Sequence, residues 1–236
     1  MNFTFGIITT HVVDKEILDS IKIQNINNYE IIIVGGKNNY LDKNIKHIPF
    51  DENIKHNWIT KKKNIISEKA LYENIVFLHD YIKFDHNWYE GMLKFGNNFN
   101  ICMNKIINTD NLRYRDWTLW PGNKELENKF NLKENLILNQ ELIFDDGFLL
   151  PYEVSNLSKF MYISGAFFIV KKNIMLEYPL NEKLSWGEGE DVLWSLLVRK
   201  KYIFSMNINS SVHLLKYKDR IFNEINIHNL NKIINL

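Results

Sequence analysis

Short apolar runs alternate with segments of helical periodicity through residues 1–107. Phe3 to Thr9 is β-branched and aromatic and predicts a first strand. Asp14 to Gln24 sets Ile17, Leu18, Ile21 and Ile23 at helical spacing, behind an aspartate suited to an N-cap. Glu30 to Val34 is a continuous Ile/Val run closed by Gly35-Gly36, the pattern of a parallel strand buried on both faces. Ile45 to Phe50 predicts a short third strand. Thr60 to Leu71 reads as a helix, with Ile65, Ile66 and Ala70 set against lysines. Asn74 to Leu78 is another buried strand, Trp88 to Phe95 a short helix, and Phe99 to Ile107 a further strand.

The middle of the chain breaks this rhythm. Asn108 to Glu153 mixes charge with aromatics around the turn signal Trp120-Pro121-Gly122 and predicts an excursion, with a hairpin near Leu142 to Leu149. Met161 to Val170 then predicts one strand, Glu190 to Lys201 a helix, and Tyr202 to Ile208 and Val212 to Leu215 two strands. Arg220 to Leu236 has the spacing of a terminal helix.

Strand–helix alternation with short connections predicts an α/β fold, a central mostly parallel sheet flanked by helices. Ligands of such sheets bind beyond the carboxyl ends of the strands. Thr9-Thr10-His11, Gly35-Gly36 and His79-Asp80-Tyr81 therefore form one candidate rim.

Composition narrows this little. The chain has 236 residues, 45% hydrophobic and 24% charged, which suits one large globular domain. A formal charge of +1 gives no global attraction to nucleic acid. The single cysteine, Cys102, excludes an internal disulfide and sits in an apolar run as a core residue would. The N-terminus lacks a basic region before its apolar run, and no segment has the length of a membrane span. A cytoplasmic protein is expected, with any membrane contact peripheral and made through its substrate.

Two clusters carry chemistry. His79-Asp80-Tyr81 ends a buried strand, although a lone carboxylate at a strand end is commonly just solvated. Ser185-Trp-Gly-Glu-Gly-Glu-Asp191 places Gly187 and Gly189 around Glu188, then opens a helix with Glu190 and Asp191, where the helix dipole favours carboxylates. Three acids within four positions, flanked by Trp186 and Trp194, exceed what capping requires. His213 on a strand and Lys63-Asn64 on a helix are unremarkable alone. Arg113, Arg115, Trp117 and Trp120 suit either a ligand with ring faces and acidic groups or a satellite core.

Taken in order, these segments resemble the GT-A glycosyltransferase fold, most closely its inverting family-2-like enzymes. Thr9-Thr10 resembles the segment that meets the nucleotide base, with Gly35 on the same rim. Lys62-Lys63-Asn64 resembles the basic-Asn helix that leads to the family's DxD motif, and His79-Asp80-Tyr81 stands at that motif. Ile163-Ser-Gly165-Ala resembles the acceptor-side glycine loop. Trp186-Gly187-Glu188-Gly189-Glu190-Asp191 resembles the xED motif with the W-G-x-G spacing of galactosyltransferases. His213 falls where such enzymes carry a metal-binding histidine. The resemblance covers Phe3 to Lys218.

It implies a single domain over residues 1–236, with 1–107 the nucleotide-sugar-binding half and 108–236 the acceptor-binding and catalytic half. It also implies a UDP- or GDP-sugar donor, a glycan or glycolipid acceptor, a role in surface glycan or polysaccharide assembly, and inversion with Asp191 as base. Glu190 would orient the acceptor; Gly165, Trp186, Gly187 and Glu188 would meet substrate. A divalent ion, Mn²⁺ or Mg²⁺, would be held by Asp80 and His213. One departure bears on that ion: Tyr81 replaces the last carboxylate of DxD. Without a metal, Lys63 or another cation would have to steady the leaving group.

Other classes fit less well. A nucleotidyltransferase wants a Gly-rich basic loop after the first strand, where this chain has Thr9-Thr-His-Val-Val. A dehydrogenase wants G-x-G-x-x-G after a strand, and none occurs. A non-enzymatic sugar-binding module derived from such a fold remains the alternative that Tyr81 favours.

Overall fold

A computed structural model describes residues 1–37, 40, 42–119, 148–154, 161–219 and 222–225. The strands are β1 (Phe3–Ile8), β2 (Tyr29–Val34), β3 (Ile45–Ile48), β4 (Asn74–His79), β5 (Ile82–Phe84), β6 (Ile101–Ile107), β7 (Thr118–Leu119), β8 (Phe148–Leu149), β9 (Met161–Tyr162), β10 (Phe167–Lys171) and β11 (Phe204–Leu214). The helices are α1 (Lys15–Lys22), α2 (Ile59–Lys69), α3 (Trp88–Phe95), α4 (Lys172–Glu177) and α5 (Glu190–Val198).

The large sheet runs β3-β2-β1-β4-β10-β6-β11-β5. Its first four strands are mutually parallel, as are β6 and β11. Antiparallel β10 joins these two parallel sets, and β5 closes the edge antiparallel to β11. A small antiparallel sheet, β8-β7-β9, lies apart from it in pairing.

Successive strand residues face opposite sides of a sheet, so a run buried throughout needs cover on both. In β2, Ile31 and Ile33 enter one core cluster and Ile32 and Val34 the other, all four without exposed surface. Ile17 and Ile21 of α1 and Trp88 and Met92 of α3 fill the first cluster. Ile66 of α2, Met175 of α4 and Trp194 of α5 fill the second. Asp14 caps α1 by accepting from the Glu16 N–H at 2.9 Å. Cys102 is buried.

Several boundaries differ from the sequence reading. Met161 to Val170 is two strands, because the chain turns between them with Ser164 bridged to Phe167. The two strands expected over Tyr202 to Leu215 are one, β11. Its register shifts between Asn207, opposite Asn104, and Ser211, opposite Lys105, so the extra residues bulge without ending the strand. The Asn207 amide donates to Ser210 Oγ at 2.9 Å, and that hydroxyl donates to the Trp88 carbonyl at 2.8 Å. The sequence reading lacked β5 and α4, which are too short to show a period. Trp120 and its turn lie outside the described residues, as does most of the expected hairpin. Of the expected terminal helix only 222–225 is described, and it is not helical: Glu224 bridges Leu149, and the Ile225 N–H donates to the Leu149 carbonyl at 3.0 Å.

Candidate active site

A cleft of about 240 Å³ opens at the carboxyl ends of β1 and β4. Its floor is Ile8, Thr9 and Thr10 from the first strand end and His79, Asp80 and Tyr81 from the second. The parallel pairing of Ile8 with His79 brings these two segments together. Thr9 Oγ1 donates to Asp80 Oδ2 at 2.6 Å. The walls come from Asn57, Ile59 and Lys62 at the start of α2, from Trp186, and from Lys216 and Lys218 just past β11. Trp186 is 60% exposed, an aromatic face open to a ligand.

Beside this cleft lies a carboxyl pair. The Gly165 N–H donates to Asp191 Oδ2 at 3.0 Å, and the Lys63 ammonium donates to the Gly165 carbonyl at 2.6 Å. A Cβ at position 165 would stand 2.9 Å from Asp191 Oδ2 and 3.2 Å from Glu190 Oε1, so only glycine permits this approach. Gly189, at φ 82°, caps α5 in the left-handed region and turns the chain so that Glu190 enters the core side. Glu190 is 6% exposed. Burial, and then the Asp191 carboxylate, push its pKa up to about 7. Lys63 is fully enclosed; burial holds its pKa below the lysine range, against the pull of Glu190 and Asp191.

That shift has a consequence for stability. Between about 4.5 and about 7, folded Glu190 holds a proton that the unfolded chain has released, so stability falls as pH rises through that window and levels above it. Glu190→Gln removes the dependence. The variant is expected to gain about 2–3 kcal/mol on the parent at pH 8 and little at pH 5. Urea midpoints at the two pH values test this; parallel shifts at both would refute the burial of an ionising Glu190.

Several of the expected donor and metal residues lie outside the cleft lining. Asn64 is buried and structural: its amide donates to the Leu180 carbonyl at 2.9 Å and its Oδ1 accepts from the Leu180 N–H at 2.9 Å. Lys63 points to the Gly165 turn, and it is Lys62, one residue earlier on the helix, that reaches the cleft. Lys62 donates to the Thr9 carbonyl at 2.8 Å and to Glu52 at 2.5 Å. Gly35 backs onto Thr9 and is not part of the lining. Gly187 and Glu188 are exposed, the latter accepting from the Ser185 N–H at 2.5 Å.

His213 does not join Asp80. Its ring lies 3.6 Å from Asp85 Oδ2, in a separate hollow with Glu16 and Lys83, because β11 pairs His213 with Lys83 of β5. Arg113 and Trp117 resolve as core. Arg113 pairs at 2.9 Å with Asp116, which is wholly buried and also accepts from the Tyr152 hydroxyl, and Trp117 donates to the Val154 carbonyl at 2.8 Å. Arg115 donates to the Tyr162 hydroxyl at 2.7 Å on the Asp191 side.

The cleft's donor set does not suit a divalent cation, which wants several carboxylate or other oxygen ligands. Asp80 is the one carboxylate in the lining among the described residues, and one of its oxygens is taken by Thr9. Burial pushes the Tyr81 phenol above its ordinary range, so it offers no phenolate. Among the described residues no three His, Cys, Asp or Glu side chains are grouped as a metal would need. The sequence reading placed Lys62 on the basic-Asn helix without a role of its own, and it missed Lys216, Lys218 and Asn57. Lys216 and Lys218 did carry a signal: an i, i+2 pair leaving a strand projects to one side.

Neither a protein-family model nor a curated protein matches this sequence. Solved structures do. The chain superposes on GalNAc-T7, crystallised with UDP, GalNAc and Mn²⁺, with TM-score 0.57 and 11% identity over 92% of this chain and 43% of that one. It also matches S. aureus TarS 1–349 in complex with UDP-GlcNAc, with TM-score 0.54 and 13% identity over 93% of this chain and 60% of that one. A further TarS 1–349 structure gives TM-score 0.50 and 13% identity over 99% and 63%. The fold is GT-A. The chain spans 43–63% of the length of these structures. No helix among the described residues is long and apolar enough to cross a membrane.

Proposed function

We propose that this chain transfers a sugar from a nucleoside-diphosphate sugar to an acceptor hydroxyl, with inversion. The observation that carries the reading is the juxtaposition of two sites. The cleft at the ends of β1 and β4 and the Glu190–Asp191 pair are joined by one loop, whose Trp186 lines the cleft and whose end opens α5. The GT-A likeness supports it, since the similar structures contain UDP or a UDP-sugar.

The nucleotide lies over Thr9 and Thr10, with the sugar directed toward Trp186 and the carboxyl pair. Asp191, oriented by the Gly165 N–H, accepts the proton of the acceptor hydroxyl. The hydroxyl oxygen bonds to the anomeric carbon from the face opposite the leaving group. The anomeric carbon–phosphate oxygen bond breaks, and its electron pair leaves with the nucleoside diphosphate. Glu190, whose carboxyl burial and the Asp191 charge push toward the protonated form, donates when protonated and so orients the acceptor beside the base. Lys63 holds the Gly165 turn that aims Asp191. The acceptor class proposed is a glycan or glycolipid.

The test is slow donor hydrolysis, with water standing in for the acceptor. UDP-, GDP-, CDP-, dTDP- and ADP-sugars are each incubated with the protein and release of nucleoside diphosphate is followed. One base is expected to support release. No release from any donor, together with no nucleotide binding by calorimetry, would overturn the reading.

A further inference from the structure

If the cleft takes a nucleoside-diphosphate sugar, as proposed above, the diphosphate needs positive charge, and the residues present supply it in an unexpected form. The Lys216 ammonium lies 4.4 Å from the centre of the Tyr81 ring and the Lys218 ammonium 4.7 Å from it. Both line the cleft next to Asp80. Neither makes an ion pair with a described residue, whereas Lys62, deeper in the wall, is already paired with Glu52. Two ammonium groups held against one aromatic ring repel each other, and the ring offsets part of that repulsion. An anion that meets both offsets the rest. Burial, then the Lys216 charge, holds Lys218 below the ordinary lysine range, which an incoming anion would reverse. His79 completes the floor. Its Nε2 is buried without a hydrogen-bond partner among the described residues, and burial together with four surrounding lysines favours the neutral ring, free to donate to or accept from a ligand without adding charge.

Tyr81 thus occupies the position where a second carboxylate would hold a metal, and instead it forms the platform for two cations. We propose that Lys216 and Lys218 bind the donor's diphosphate directly and stabilise the departing nucleoside diphosphate in place of a divalent cation. As the anomeric carbon–oxygen bond breaks, one further negative charge develops on the leaving phosphate. The two ammonium groups lie where that charge appears, and no proton or co-reactant is consumed. The pair follows β11 directly, and the Leu215 N–H donates to the Tyr81 carbonyl at 2.8 Å, which brings the segment against the residue after Asp80.

Calorimetric titration of the whole chain with UDP, GDP, CDP, dTDP and ADP, first in EDTA and then in Mn²⁺, tests this alongside donor hydrolysis in both buffers. One nucleotide is expected to bind equally well in EDTA and in Mn²⁺, more weakly at high salt, with hydrolysis persisting in EDTA. Lys216→Met/Lys218→Met is expected to weaken that binding by about tenfold or more, the loss of charge-assisted contacts. Lys216→Arg/Lys218→Arg is expected to retain it, which separates lost charge from a misfolded segment. Binding and hydrolysis that require Mn²⁺ would overturn the lysine assignment and leave the glycosyl-transfer reading standing. Unchanged binding by the double Met variant would do the same. No binding of any nucleotide in either buffer would overturn both.

Discussion

Asp191→Asn is expected to lower donor turnover by about 100- to 10,000-fold while leaving nucleoside-diphosphate affinity unchanged. A positioned base contributes a factor of that size. The carboxamide keeps one oxygen to accept from the Gly165 N–H, so the turn that holds it survives. It cannot take a proton at neutral pH. Asp191 is absent from the cleft lining, so a change there acts on the chemical step and not on donor capture. Single-turnover hydrolysis and calorimetry on the same preparation separate the two. Near-parental turnover in the variant would remove Asp191 from the role of base, and Glu190 would be the next residue to change.

The second large effect is on stability. Trp88→Ala is expected to cost about 3–5 kcal/mol, the range for deleting a large aromatic from a packed core. Trp88 has no exposed surface, meets Phe84 edge-on at 4.8 Å and Phe3 at 5.3 Å, and donates to Asn104 Oδ1 at 2.7 Å. Its truncation leaves a cavity and an unpartnered buried amide oxygen together. Trp186→Ala is the contrast: that ring is exposed, and a surface change of this kind moves stability by about 0.5 kcal/mol or less. Urea unfolding of both variants makes the comparison. A small loss at Trp88 would mean that α3 is not part of the cooperative core.

Asp191 was visible in the sequence as a residue, Trp88 only as the start of a short helix. The Ile/Val runs of β1, β2 and β4 could belong only to strands covered on two sides, and the helices between them followed from their spacing. Asp191 stood out because Trp186-Gly-Glu-Gly-Glu-Asp clusters more acid than a helix start needs. The features that escaped are those settled by distant partners. The Ser-Gly pair at Gly165 was legible as a glycine loop through the resemblance, but it sits in Met161 to Val170, otherwise apolar from end to end, and so did not split the expected strand. The fate of His213 depended on β5, three residues long and without a period of its own. Lys62 and Lys63 are indistinguishable as letters. Their roles separate only because successive helix positions point about 100° apart, one toward Thr9 and the other toward Gly165.

The two sides of the cleft differ in how they are anchored. Thr9, His79 and Asp80 extend from β1 and β4, interior strands hydrogen-bonded on both edges, and such backbone opens only when the whole domain does. Trp186, Lys216 and Lys218 stand on surface segments tied down by few hydrogen bonds, which open at far lower free energy. A ligand that spans the cleft therefore joins two cooperative units of unequal stability. Its grip is limited by the softer one, and its departure is timed by how often those surface segments lift away while the floor stays shut.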